Sequence, residues 1–314
     1  MKTFWVSVLV ALCVPTLAWA GGSSAGRLPV VASFSILGDM VREVGGDDVQ
    51  VVVIVPPLGD PHTFEPSPKD ARALGAAKVL VINVLGFESW MPRLIQAAGF
   101  GGLKLVASEG VRARELKDDD SGHEHEALAP SDVAVHGGTL DPHAWQDLGN
   151  GVVYVQNIAR GLAQADPAHA AAYAARAQAY AARLKAADAQ WRAQLASVPP
   201  DRRVLATSHD AFGYFGAAYG IQVLSVVGVS SEAEPSARVM ADLVRQIRAH
   251  HIRALFLEHG SNARAIQQIA AETGVKTGGE LFADTLDTPG HEASTYLGMF
   301  HWNTGLLLKA FTAR

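Results

Sequence analysis

The chain has 314 residues, of which 49% are hydrophobic, and a formal net charge of −5 at pH 7. An acidic balance without a dense basic stretch argues against nucleic acid as a partner. A chain of this length can bury two cores of ordinary size, because single cores rarely grow beyond about 250–300 residues. Two lobes are therefore expected.

The first 20 residues have the composition of a secretory signal peptide. Lys2 precedes an apolar run, and an Ala-Trp-Ala sequence that ends at Ala20 provides a small-residue cleavage site before a Gly/Ser-rich stretch. The run is short for a membrane span of roughly 20 residues, so we expect cleavage after Ala20 and export to the periplasm. The single cysteine, Cys13, lies inside this leader. Any metal bound by the mature protein must therefore have nitrogen and oxygen ligands.

Short β-branched runs alternate with segments of helical spacing along most of the chain. In the first half, the strand candidates are residues 29–34, 49–55 and 78–84, with helical spacing at 36–44 and 69–77. In the second half, they are residues 203–207, 223–228 and 254–258, with helical stretches at 236–250 and 262–274. Continuous apolar strands between helices are typical of parallel sheets. The pattern predicts an α/β chain with two parallel-sheet lobes, an N-terminal one at 21–165 and a C-terminal one at 199–314.

One long helix is predicted between the lobes, over residues 166–198. Asp166 can cap it, Pro167 suits its first position, and two prolines at 199 and 200 prevent its continuation. About 30 residues at a rise of about 1.5 Å make a rod of roughly 45 Å. We therefore expect a stiff connecting helix rather than a swivelling linker.

The tripeptide Asp-Pro-His occurs twice, at residues 60–62 and 141–143. In both copies the proline fixes a backbone dihedral directly before the histidine, which lowers the entropy lost in aiming an imidazole. The first copy follows the strand 49–55, at the strand edge where open α/β sheets bind ligands. We therefore expect His62 and His143 to be matching ligands on two loops of the first lobe.

The second half adds a histidine and a carboxylate. His209 follows the strand 203–207, and Asp284 follows a further short apolar stretch. Three imidazoles and one carboxylate are typical of a tetrahedral zinc site, whereas manganese prefers more oxygen ligands. Four protein ligands leave no position for a reacting water, which indicates binding rather than catalysis.

Further acidic and histidine side chains are candidates for the surroundings of this site. A carboxylate beside a ligand histidine can hold its second ring N–H and fix the tautomer. His259 follows a strand end, and Glu65 is an extra carboxylate near His62 that also suits a partner contact or a helix start. The candidates are Asp60, Glu65, Asp141, Asp210 and His259.

Four stretches resemble the periplasmic solute-binding proteins of zinc and manganese ABC importers. They are GDPHTFEPSPKD around His62, LDPHAWQD around His143, ATSHDAFGYFGAAYGI around His209 and LFADTLD around Asp284. The resemblance implies two lobes joined by one long rigid helix, with the metal held by two of these residues from each lobe. Manganese-preferring members of that family have a glutamate where His209 stands, so the histidine favours Zn(II) as the bound ion.

The same resemblance bears on the acidic segment 115–139, which contains His123, His125 and His136. It is similar to the histidine-rich loop of zinc-specific members, although it is shorter. A weak first contact for zinc, a feature recognised by a partner and a plain solvated insert are all open interpretations.

The resemblance also implies partners. We expect a monomeric receptor that delivers zinc to the membrane permease of an ABC importer, and a periplasmic zinc metallochaperone is a further candidate partner. The chain has no G-x-x-x-x-G-K-[ST] stretch, so ATP hydrolysis belongs to another subunit. The alternatives are a manganese or mixed-metal receptor of the same family, a secreted zinc-dependent hydrolase, and a surface protein with a structural zinc ion. We expect that the protein is not an enzyme.

Overall fold

The two predicted α/β lobes are present as two parallel sheets of four strands each. The computed structural model describes residues 26–116, 140–225, 236–249, 252, 254–259 and 263–313. The predicted signal peptide and the loop histidines His123, His125 and His136 lie outside the described residues. Within the described part of the chain, no helix combines the length and apolar character needed to cross a membrane.

The first lobe is built from alternating strands and helices. Its elements are β1 (Leu28–Phe34), α1 (Ser35–Gly45), β2 (Val49–Val55), α2 (Pro68–Ala76), β3 (Val79–Ile82), α3 (Met91–Ala98), β4 (Leu103–Val106) and α4 (Leu148–Ala165). The strand order is β2-β1-β3-β4. β4 was not predicted, because LKLV is short and interrupted by Lys104.

The connecting helix α5 (Ala170–Ala196) follows a 3-10 turn at Pro167–His169. The predicted segment 166–198 had Asp166 as its cap and Pro167 at its first position, and Asp166 is the non-helical residue that precedes this turn. Its carboxylate accepts hydrogen bonds from His169 Nδ1 at 2.6 Å and from the Tyr173 hydroxyl at 2.8 Å. The helix has 27 residues, so it is about 40 Å long.

The second lobe repeats the strand order of the first. Its elements are β5 (Val204–Thr207), α6 (Gly213–Tyr219), β6 (Gln222–Ser225), α7 (Ala237–Ala249), β7 (Ala254–Glu258), α8 (Ala263–Thr273), β8 (Lys276–Leu281) and α9 (Tyr296–Thr312). The order β6-β5-β7-β8 matches β2-β1-β3-β4. β8 escaped prediction because it contains two glycines. Gly278 is needed there, since a Cβ atom would lie 2.6 Å from the Phe256 ring.

The hydrophobic interior does not divide at the lobe boundary. The larger core is continuous from the first sheet, along the buried side of α5, to α6, α9 and part of the second sheet. A smaller distal core lies between β5, β7, α7 and α8, and its buried members are Val204, Ala206, Met240, Leu243, Val244, Ile247, Ile252, Leu255, Ile266 and Ile269. β5 is shared, because Leu205 belongs to the larger core and its neighbours on both sides belong to the distal one.

Candidate metal centre

The structure brings the four predicted ligands together at the carboxyl ends of the strands. The potential ligand atoms of His62, His143, His209 and Asp284 all lie within 4.8 Å of one another, and among the described residues no other side chain joins this cluster. His62 Nε2 and His209 Nε2 lie 3.2 and 3.0 Å from Asp284 Oδ2. His143 Nε2 lies 3.4 Å from both Asp284 Oδ1 and His62 Nε2.

These separations fit a four-coordinate cation. A tetrahedron with metal–ligand bonds of about 2.05 Å has edges of about 3.3 Å. Three separations among the Nε2 atoms and Asp284 Oδ2 are 3.0, 3.2 and 3.4 Å, and all four ligand atoms lie within 4.8 Å of one another. Asp284 Oδ1 is buried and receives no hydrogen bond from any described residue. A buried carboxylate oxygen without a donor is expected where a cation binds.

Both Asp-Pro-His turns are closed by their own aspartate. Asp60 Oδ1 accepts the backbone N–H of His62 at 2.8 Å, and Asp141 Oδ1 accepts that of His143 at 3.0 Å. Asp141 Oδ1 also lies 3.0 Å from His143 Nδ1, so it favours a proton there and leaves Nε2 free for a metal. The repeated tripeptide therefore sets the backbone of each ligand loop.

His209 has a carboxylate partner that the sequence did not predict. Glu258, at the end of β7, places Oε2 2.7 Å from His209 Nδ1. Glu258 Oε1 accepts the Ser208 hydroxyl at 2.7 Å and the His209 backbone N–H at 2.9 Å. The signal in the sequence was a charged residue at the end of the apolar run ALFLE. It lies near His209 because β7 is the neighbour of β5 in the sheet.

The charged groups of the centre shift one another's pKa values towards their charged forms. Burial alone lowers the pKa of His209, but the carboxylates of Glu258 and Asp284 outweigh it and hold that pKa well above its ordinary value. Burial alone raises the pKa of Asp284, but the His143 and His209 imidazoles hold it well below its ordinary value. Without a cation, protonated imidazole therefore supplies the positive charge that the buried carboxylates require.

An aromatic wall closes one side of the centre. The ring centroid of Phe87, which the sequence did not single out, lies 4.8 Å from that of His62 and 6.0 Å from that of His143. Trp145 lies 5.4 Å from His143 and is fully buried. Excluding water on this side strengthens the electrostatic interactions of a bound ion.

The remaining candidates occupy other places. Asp210 is partly buried, and its pKa is raised by burial and by Asp141. Glu65 is exposed to solvent. His259 places Nδ1 3.0 Å from Glu280 Oε1 and stacks on Phe282, so its ring is engaged outside the four-ligand cluster.

Comparison with known proteins identifies the family. The sequence profile described as zinc-uptake complex component A, periplasmic, matches residues 30–310. The chain belongs to this family. Its members are substrate-binding receptors of metal ABC transporters, which work with membrane permease components, and they are not enzymes. The match confirms the resemblance of the four motif stretches.

Several relatives cover almost the whole chain. The metal ABC transporter substrate-binding lipoprotein FimA of Streptococcus parasanguinis is 29% identical over 307 residues, which cover 95% of this chain and 94% of FimA. The manganese-binding lipoprotein MntA of Halalkalibacterium halodurans is 29% identical over 309 residues, covering 96% and 97%. The periplasmic zinc binding protein TroA from Treponema pallidum superposes with a TM-score of 0.81 at 28% identity, covering 92% of this chain and 100% of TroA.

Proposed function

We propose that this protein is a periplasmic receptor that binds Zn²⁺ between its lobes and delivers it to the permease of an ABC importer. The observation that carries the proposal is the set of three imidazoles and one carboxylate whose ligand atoms lie within 4.8 Å of one another, with three of the separations at 3.0 to 3.4 Å. This donor set and geometry are those of four-coordinate zinc. In this proposal zinc is the transported ion, and it is bound by His62, His143, His209 and Asp284.

A manganese or mixed-metal receptor is the second candidate. Relatives such as MntA and the manganese ABC transporter substrate-binding lipoprotein PsaA of Streptococcus pneumoniae carry manganese in their names. Manganese prefers more oxygen ligands than a site with three imidazoles offers. The chemistry of the ligands therefore favours zinc, although both ions belong in the test.

The deciding experiment titrates the metal-stripped protein with Zn²⁺ and Mn²⁺ by competition calorimetry. We expect one Zn²⁺ per chain, bound far more tightly than Mn²⁺. His62→Ala, His143→Ala, His209→Ala and Asp284→Ala should each weaken zinc binding, while His259→Ala, a matched control outside the cluster, should not. Tighter binding of Mn²⁺ would favour the manganese receptor. Zinc binding indifferent to all four substitutions would overturn the site.

Export, oligomeric state and partners complete the proposal. We infer that the leader is removed after Ala20 and that the mature receptor acts as a monomer. The permease is its main partner, and a periplasmic zinc metallochaperone is a candidate second partner. Intact mass and light scattering of protein purified from the periplasm of an expressing cell test the first two points.

A further inference from the structure

We propose that Trp145 and Gln146 fix the Asp284 loop, which is the segment 282–295 between β8 and α9, to the first lobe, so that three of the four metal ligands move as one unit and His209 alone closes the site. This inference rests on the proposed metal site. It assigns Trp145 and Gln146 as positioning residues. The three ligands that move together therefore do not all belong to residues 21–165, because Asp284 lies within residues 199–314.

The first contact joins two ligand loops directly. Trp145 Nε1 and Gln146 Nε2 both donate to the carbonyl oxygen of Ala283, at 2.9 and 2.7 Å. The donors follow the ligand His143 by two and three residues, and the acceptor immediately precedes the ligand Asp284. Both donor side chains are buried, with exposures of 0% and 1%. Two donors fill both lone pairs of this carbonyl, so its position is fixed.

The loop that leads to His62 binds the same segment from the other side. The backbone N–H of Leu58 donates to Thr285 Oγ1 at 2.8 Å and to the Leu286 carbonyl at 3.1 Å. The Leu286 N–H donates to Ser35 Oγ at 2.9 Å. Leu58 has a φ of 67°, an unfavourable backbone conformation for a side chain of this kind. Such strain persists only where the surrounding bonds fix it.

The far end of the segment is fastened as well. At the start of α9, the Tyr296 N–H donates to Asp39 Oδ2 at 2.9 Å, and the Tyr296 hydroxyl donates to the Trp145 carbonyl. Phe282, Ala283 and Leu286 also belong to the larger core. The Asp284 loop therefore begins in the second sheet and is held by the first lobe.

His209 is held differently. Its backbone N–H and its Nδ1 both contact Glu258 at the end of β7, inside the second lobe. α6 also contacts the first lobe, since the Tyr214 hydroxyl accepts the Arg114 backbone N–H at 2.9 Å. Ala211 and Phe212, directly after His209, also belong to the larger core. The hydrogen bonds of the His209 side chain and backbone N–H run to Glu258 and to Asp284, and none runs to the first lobe among the described residues. A displacement of the second sheet, which carries Glu258, withdraws His209 and leaves the other three ligands assembled, with one coordination position open.

A double-mutant cycle tests this assignment. Gln146→Met removes the donor while keeping similar volume, and we expect it to weaken Zn²⁺ binding about 10- to 100-fold, as the loss of a supporting contact around a metal site does. In an Asp284→Asn background the same change should have less than about a threefold further effect, because the residue that it positions is already impaired. In a His209→Ala background the full factor should persist. Trp145→Phe, which removes the other donor, should give the same pattern.

The controls separate positioning from stability and from the site assignment. Gln156→Met, on the exposed side of α4, makes the same substitution without touching the Asp284 loop and should leave affinity unchanged. Circular dichroism of each metal-free variant shows whether it folds, and any fold loss directs the cycle to Trp145→Phe. Equal factors in all three backgrounds would overturn the proposal, because they indicate a general structural effect. If neither Asp284→Asn nor His209→Ala weakens zinc binding, the proposed metal site itself fails.

Discussion

Replacing Glu258 with glutamine should weaken zinc binding through the tautomer of His209. The glutamate accepts from the Ser208 hydroxyl at 2.7 Å and from the His209 backbone N–H at 2.9 Å, and its Oε2 lies 2.7 Å from His209 Nδ1. An amide has one oxygen and one NH₂ group. With its oxygen towards Nδ1, the buried backbone N–H of His209 faces another donor. The substitution also removes the Glu258 charge, the largest influence that raises the pKa of His209, so the neutral imidazole becomes accessible in the variant. With the NH₂ group towards Nδ1, the single proton of that neutral imidazole lies on Nε2, the atom that must bind the metal.

The magnitude follows from the choice between these two arrangements. The metal-free variant adopts the amide orientation of lower free energy. Zinc binding requires the orientation with the amide oxygen towards Nδ1, which leaves the buried His209 backbone N–H unpaired at a cost of about 1–3 kcal/mol. At about 1.4 kcal/mol per factor of ten, this corresponds to a loss of about 5- to 150-fold in affinity. Glu258 is 2% exposed, so solvent offers little relief.

Competition calorimetry against a chelator of known affinity measures this loss. Glu280→Gln is the matched control, because Glu280 contacts His259 outside the cluster and its side chain is 50% exposed. The control should stay within about twofold of the native affinity. If Glu258→Gln also stays within about twofold while the metal-free fold is intact, the argument from the tautomer is wrong, since the unpaired N–H alone corresponds to at least about 1 kcal/mol.

Since the raised pKa of His209 keeps that imidazole protonated near neutral pH, zinc should displace about one proton at pH 7; calorimetry in buffers of different ionisation enthalpy measures it, and no proton release would contradict the charge balance. Burial raises the pKa of Asp39 from 3.8 to about 6, although the Tyr296 N–H opposes this; its contribution to stability is present below pH 3.8 and is lost as pH rises through about 6. At about 1.36 kcal/mol per pKa unit, this loss is about 3 kcal/mol. An asparagine side chain cannot ionise, so Asp39→Asn should reduce the change in the free energy of urea unfolding between low and high pH by that amount. The same pH dependence in the variant and the native protein would refute the prediction. Chelation should leave the far-UV circular dichroism intact, while zinc at about 1,000 times its Kd should add about 4.1 kcal/mol to the free energy of unfolding; unfolding on chelation would indicate a structural ion.

Local rules were enough to predict the ligand loops of the first lobe. An aspartate closes a turn on the N–H two residues later whatever the remainder of the chain does, and both Asp-Pro-His copies do so. Strand runs of continuous apolar residues likewise predicted parallel sheets, and β2 and β7 begin and end where the pattern indicated. His209 follows the same reasoning, because it comes directly after β5.

The contacts that tie the centre together were beyond such rules. Glu258 lies 49 positions from His209, and only the order of the strands brings them side by side. The acceptor that fixes the Asp284 loop is the backbone carbonyl of Ala283, an atom that every residue has and that leaves no trace in a sequence pattern. Glycines concealed β8 in the same way, since close packing against Phe256 is a tertiary requirement.

The unequal division of the hydrophobic interior has a consequence for the order in which the protein opens. The distal core is small and separate, so its strands and helices form a cooperative unit whose opening free energy is below that of the whole chain. β5 and β7 both contribute side chains to the two cores, and His209 lies two residues beyond the end of β5. A cation that binds both His209 and the ligands held by the first lobe therefore links the less stable unit to the remainder of the protein. Amide hydrogen exchange should then slow most in β5 and β7 when zinc is bound. The transported ion itself thus stabilises the second lobe against local opening.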